Sequence, residues 1–171
     1  ELYRKGIEDG EFENSDGARA ALINAYGQAY EKNETIIGAL TEIRDEWSAF
    51  IEETELGHIV VPGSEMKYSE VPSIYAALTK GYTDIWAATS SEDGKTALEN
   101  AKTNLLTVVK DYVNYLLDTA KDIHVNGTSY YIPEEAYNTA KEAIENAETI
   151  GAVLAAYDAA LEAQVTYEYN A

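Results

Sequence analysis

The sequence predicts an all-α protein: an antiparallel bundle of five or six helices with at most a minor short β pairing. Three observations carry that expectation. Apolar residues recur at gaps of three and four along most of the chain, the spacing of helices that each bury one stripe. The three prolines sit in a turn (Pro62) or at helix starts (Pro72, Pro133). At 171 residues and 46% hydrophobic content, the chain can bury a core without covalent staples and is too apolar for disorder.

Residues 1–14 mix charge with Leu2, Tyr3, Ile7 and Phe12, and two glycines break any long helix, so they read as a lead-in. Asn14, Ser15 and Asp16 offer N-caps for a helix whose face carries Ala18, Ala21, Leu22, Ala25, Tyr26 and Ala29. A break or mild bend is expected at Asn33-Glu34. A stronger stripe follows at Ile36, Leu40, Ile43, Trp47, Phe50 and Ile51, and Gly57 supplies the left-handed residue to end it. The connector 58–71 holds a Pro-Gly turn and Ile59-Val60-Val61, a short strand or a loop packed on the bundle. Pro72 opens the next helix, with Ile74, Leu78, Tyr82, Ile85 and Trp86 on its apolar side.

The chain is organised around residues 93–165, three helices at Gly94–His124, Pro133–Ala147 and Ile150–Val165. The first has apolar positions at Leu98, Ala101, Leu105, Val108 or Val109, Tyr112, Leu116, Ala120 and Ile123. Asn126-Gly127 favours a tight turn, after which Ser129–Ile132 alternates enough to pair with Ile59–Val61 or with nothing. Glu134 and Glu135 complement the positive end of the helix that Pro133 starts. The tail 166–171 alternates as a strand does, whether it begins a further module or forms a linker. The expected organisation is a lead-in (1–14), an N-terminal helical unit (15–92), a C-terminal three-helix unit (93–165) and the tail. Two fused three-helix units sharing the long helix would satisfy it. A faint repeat supports that arrangement: Asp16-Gly17 before Ala21-Leu22-Ile23-Asn24-Ala25 echoes Asp93-Gly94 before Ala97-Leu98-Glu99-Asn100-Ala101.

Charge excludes more than it assigns. With 31 acids against 12 bases the net charge is −19, and no run of Lys or Arg offers a phosphate-binding patch, so nucleic acid is not an expected partner. There are no cysteines, which removes disulfides, thiolate metal sites and cysteine nucleophiles. No apolar run reaches the roughly 20 residues of a membrane helix. The chain opens on Glu-Leu-Tyr-Arg-Lys, without an initiator Met or signal peptide, and reads as a piece of something longer.

A search for catalytic constellations ends without one, and neither a cofactor nor a metal is expected. Glu55-x-x-His58 has the spacing used in bundle di-iron sites, but no second such motif faces it. His124 reads as a helix-terminal residue complementing the dipole. Gly94-Lys95-Thr96 lacks the earlier glycine of a phosphate-binding loop, since Thr89 stands there. Ser91-Glu92-Asp93-Gly94 is too short for a calcium loop and reads as a cap. A glycosidase-like carboxylate pair needs a cleft that short helices rarely build.

Aromatic residues are the one feature that points to binding. Fourteen tyrosines and two tryptophans are many for an alanine-rich helical chain. Trp47, Tyr82, Tyr112, Tyr137 and Tyr157 lie on apolar stripes and are expected in the core. Tyr68, Tyr130 and Tyr131, with Tyr167 and Tyr169, lie in connectors or the tail. They are either lids over the bundle ends or an exposed platform for a sugar ring or a protein.

The second half resembles a known family. Ala97-Leu98-x-x-Ala101, the long helix, Asn126-Gly127, Ile132-Pro133-Glu134-Glu135-Ala136, Ala140-x-x-x-Ile144-x-x-Ala147 and the closing Ala155-x-x-Asp158-x-Ala160-Leu161-x-Ala163 are similar to FIVAR-like three-helix modules. Those alanine-rich modules recur in large bacterial surface and secreted proteins. The likeness covers about seventy residues; the closing helix is short for the family and residues 1–92 do not fit it. It implies an extracellular, non-catalytic accessory module with no catalytic motif to carry over. The functional expectation is an interaction or spacer module with polysaccharide or surface protein as partner, or else a carbohydrate-binding protein using Tyr68, Tyr130 and Tyr131.

Overall fold

The structure, a computed structural model, describes residues 15–168. Five helices dominate it: α1 (Ser15–Glu53), α2 (Pro72–Ala87), α3 (Ser91–Ala120), α4 (Glu134–Asn146) and α5 (Ile150–Glu162). Three short strands, β1 (Asp122–Val125), β2 (Thr128–Tyr131) and β3 (Val165–Glu168), form one antiparallel sheet with β2 in the middle. The all-α expectation with minor β pairing holds. The expectations for residues 1–14 and for Tyr169 fall outside the described residues.

Helix α3 is the axis, and it touches every other helix. Leu40 and Ile43 of α1 lie against Gly94, and Glu46 takes a 2.6 Å hydrogen bond from Lys102, so α1 runs parallel to α3. Trp47 packs on Gly81 while Arg44 donates to the Trp86 carbonyl, so α2 runs the other way. Farther along, Lys110 donates to the Glu145 carbonyl at 2.8 Å and Tyr137 to Asp118 at 2.6 Å, which makes α4 antiparallel to α3. Ile150 lies near Leu106, and Gln164 reaches the Ala120 carbonyl, so α5 is parallel again. Helices α1 and α5 therefore follow one another along α3, as do α2 and α4. One continuous core runs through this arrangement, from Ile43 and Trp47 to Tyr157 and Ala160.

The buried stripe of α3 is Leu98, Ala101, Leu105, Val109, Val113, Leu117 and Ala120. Its second half is one residue out from the expected Tyr112 and Leu116, which flank it half-buried. Steps of four carry the stripe slowly round the helix, and the core follows because its packing partners change from α1 and α2 to α4 and α5. At the start, the Ser90 side chain accepts from the Asp93 amide, so helix begins at Ser91 rather than Gly94. Thr149 caps α5 in the same way through the Ala152 amide.

Several expected boundaries differ. Helix α1 passes through Asn33-Glu34 without interruption. It ends before Glu55, which takes the left-handed conformation (φ 55) assigned to Gly57. In the connector, Val61-Pro62-Gly63-Ser64 forms a turn with Gly63 at φ 78 and Ser64 N–H bonded to the Val61 carbonyl. Val60 pairs with Lys67 of the same connector, so Ile59–Val61 is not the partner of Ser129–Ile132. That partner is the end of the expected long helix. The helix stops at Ala120, and β1 pairs with β2 in the register Ile123 to Tyr130. Asn126 (φ 50) and Gly127 (φ 80) both adopt the left-handed conformation that a two-residue hairpin turn demands. β3 completes the sheet, Tyr131 opposite Val165.

Candidate functional site

The hairpin bends the chain back at the end of α3 and sets the start of α4 beside it. Around that junction, Asp118 and Lys121 from α3, Asp122 from β1, Tyr131 from β2, and Ile132 and Glu134 line an open cleft of about 790 Å³. Its position follows from local rules. The Asn-Gly turn fixes the register of β2 on β1, and the Ile132 N–H bonds back to the Lys121 carbonyl at 3.0 Å.

Asp118 is the electrostatic centre of one wall. Its carboxylate accepts from Tyr137 Oη at 2.6 Å and from Lys141 Nζ at 2.7 Å. Those hydrogen bonds, Lys141 first, hold its carboxyl below the usual range. The Tyr137 hydroxyl is raised by the same bond to Asp118 and further by burial. Burial, the largest single influence, pulls the Lys141 amine down, but the Asp118 hydrogen bond, the Asp118 charge and Tyr137 together outweigh it and the amine ends higher. Lys121 Nζ stands 4.1 Å from the Tyr137 ring centroid, a cation–π contact on the same ring. A general acid needs a raised carboxyl pKa, and Asp118 is shifted the opposite way.

The three tyrosines named from the sequence are not brought together. Tyr131 alone lines the cleft, 38% exposed. Tyr130 is half-buried and points to the other face of the sheet, because neighbours on a strand alternate. Tyr68 is 2% exposed, packed edge-on to Tyr112 with ring centroids 6.2 Å apart, so it is a core residue rather than part of a platform. Burial raises its hydroxyl far above the ordinary value. Trp47 is fully buried as expected, whereas Tyr82 is 41% exposed and stacks obliquely on Trp86.

His124 is also relocated. It lies on β1 instead of at a helix end, with its ring nitrogens bonded to Ser129 and to Asp122 (3.3 Å), a role in holding the hairpin. The residues that sequence reasoning missed are Asp118, Lys121, Asp122 and Glu134, together with the hydroxyl of Tyr137, whose ring packs against the core while its Oη donates to Asp118. They come from both sides of the hairpin, and the available signal was the Asn-Gly turn, which joins the end of one helix to the start of the next.

A second cleft, about 460 Å³, opens at the seam where α1 ends and α5 begins along α3. Phe50, Leu106 and Ile150 give it an apolar floor, with Glu53, Lys102 and Glu148 at the rim. Among the described residues no group of three His, Cys, Asp or Glu side chains could hold a metal ion, and no helix is long and apolar enough to cross a membrane. Neither a family model, nor a characterised protein, nor a solved structure matches this chain.

Proposed function

We propose that this chain is a non-catalytic helical module, a stiff spacer and interaction unit of a bacterial cell-surface or secreted protein. The observation that supports the reading is the path of the chain. Helix α1 comes in beside Gly94, at the first turn of α3, and α5 with β3 goes out beside Ala120, at its last. Thirty residues of α3 span about 45 Å, so whatever the two ends carry is held that far apart by one continuous core. The surface context rests on the resemblance of residues 97–163 and on the −19 charge, which keeps such a rod soluble.

The rod is tested by distance. The chain has no cysteine, so Glu42→Cys with Val125→Cys gives a clean pair for spin labels. A single narrow distance of roughly 40–50 Å is expected from the helical rise; a broad distribution would remove the spacer reading.

A second reading is favoured by one observation, the half-exposed Tyr131 ring among Asp118, Lys121, Asp122 and Glu134. An aromatic face beside acceptors and an amine is the chemistry that binds a sugar ring through its C–H face and hydroxyls. Binding on a glycan array that Tyr131→Ala abolishes would establish carbohydrate recognition at this cleft, and silence across the array would dismiss it.

A further inference from the structure

We infer that the cleft at the seam between α1 and α5 is a binding site for a small organic cation, an ammonium group carried on a short apolar body. The site is independent of the spacer reading and of the Tyr131 cleft. It exists because two helices follow one another along α3. Helix α1 stops at Glu53 and α5 starts at Ile150, and between those ends α3 presents Lys102, Thr103 and Leu106. The space left is about 460 Å³, within the roughly 300–1,000 Å³ of small-molecule sites.

The floor of this space is apolar and backed by the core. Phe50 stacks on the fully buried Trp47 with ring centroids 5.7 Å apart. Ile150 is buried and Leu106 half-buried beside it. The hydroxyls of Thr54 and Thr149 are engaged with backbone, the first donating to the Ile51 carbonyl and the second accepting from the Ala152 amide. What the cleft offers a ligand is therefore an apolar surface and the charges round it.

Those charges select the ligand. Lys102, the amine among the lining residues, already has its Nζ 2.6 Å from Glu46 and 3.7 Å from Glu99, and 5.4 Å from the Phe50 ring centroid. The carboxylates of Glu53 and Glu148 line the same cleft, and neither has a hydrogen-bond or ion-pair partner among the described residues. Four carboxylates thus surround one ammonium, and the two without a cation stand at the rim of an apolar floor. An ammonium on an apolar body satisfies both features, whereas a carboxylate ligand meets repulsion. The positive end of α5 amounts to only about half a charge, and Glu148 stands directly before it. Lys102 itself displays the arrangement, an ammonium held by carboxylates beside the Phe50 ring.

The test is an amide NMR titration of the full chain at pH 7 with phenethylammonium. Shifts are expected at Thr54, Thr103, Leu106, Ile150 and Gly151, with a dissociation constant of about 0.1–1 mM for a ligand of this size. Phenethyl alcohol, which lacks the charge, and ethylammonium, which lacks the ring, should each bind at least tenfold more weakly, and hydrocinnamate should not bind. Glu53→Gln with Glu148→Gln should weaken phenethylammonium at least tenfold, while Glu65→Gln, outside the cleft, leaves it unchanged. Nothing lies within 4 Å of a Cβ at Gly151, so Gly151→Leu enters the wall without a clash and should block the site. Circular dichroism verifies that each variant is folded. Absence of shifts, shifts centred elsewhere, equal binding of the alcohol, or full affinity in the double glutamine variant overturns the proposal. Preference for hydrocinnamate does so too, since it would hand the cleft to the positive end of α5.

Discussion

Gly81 of α2 lies directly beneath the indole of Trp47 of α1. A Cβ at residue 81 would overlap Cζ2 of that ring and stand 2.9 Å from Cε2. Trp47 is fully buried, so the ring has nowhere to retreat. The contact lies beside two others between these helices, the Trp47 ring edge-on to Tyr82 and Arg44 at the Trp86 carbonyl.

Gly81→Ala is therefore expected to cost about 1–3 kcal/mol by overpacking, although alanine is the better helix former. Gly38→Ala is the matched control. Nothing lies within 4 Å of a Cβ there, and the substitution should stabilise by about 0.5–1 kcal/mol. Urea midpoints for the two variants should move in opposite directions. If both rose, the close approach of Gly81 to Trp47 would not exist in solution.

The hairpin carries the next prediction. Gly127 holds φ 80, where a β-branched side chain meets its own backbone. Gly127→Val should cost about 1–2 kcal/mol and should loosen the register that places Tyr131 in the cleft. Hydrogen exchange reads this directly, as lost protection at Ile123 and Tyr130 while the amides of α2 stay protected. Uniform loss across the chain would mean that the turn is coupled to the whole bundle.

These two sites differ in how far the sequence revealed them. The stripes of α1 and α2 were legible in part, because a buried helical face needs only its own periodicity: Trp47 and Ile74 sit where that periodicity puts them, whereas Leu22, Tyr26, Tyr82 and Trp86, named on the same faces, are exposed. The end of α3 was not. Ala120 and Ile123 continue the spacing of three, and only the requirement that an Asn-Gly turn have extended residues on both sides takes Asp122–Val125 out of the helix. The third strand was legible as a strand but not as a partner, since Tyr131 meets Val165 across more than thirty residues. The cleft has the same origin: Asp118 and Tyr137 lie nineteen positions apart, and no local pattern marks that pair. Tyr68 sits in a polar connector, where a lid over the bundle and an exposed platform read alike, and the turn at Pro62-Gly63 folds that connector onto α3.

Acid should release the Asp118 cluster. A carboxyl whose folded pKa lies below its ordinary value of 3.8 contributes stability above that value and loses it as pH falls through the folded pKa. Asp118 is 54% exposed, so solvent screening keeps the contribution under about 1 kcal/mol. The sharper readout is the site itself. Carbon NMR of the Asp118 carboxyl should titrate below 3.8 in the parent chain and move upward in Tyr137→Phe, which deletes one of its donors. An unchanged midpoint would detach Tyr137 from Asp118.

At the other extreme of pH the sign reverses. Burial raises the hydroxyls of Tyr68, Tyr112 and Tyr157 above 10.0, with neighbouring tyrosines adding to the shift in each case and Asp158 also in those of Tyr68 and Tyr157. An unfolded chain gives up these protons near pH 10, whereas the folded one keeps them. Their stabilisation is complete below that point and drains away as pH climbs towards the folded values. Tyr68, at 2% exposure, should dominate, with a loss of up to about 1.4 kcal/mol for each pH unit above 10. Phenylalanine has no proton to surrender, so Tyr68→Phe should lose stability less steeply than the parent between pH 10 and 12, whatever its stability at neutrality. Urea midpoints at pH 8, 10 and 11 decide it. Parallel declines in the two proteins would mean that the Tyr68 hydroxyl ionises in the folded state as readily as in water, and that the connector does not seal it against Tyr112.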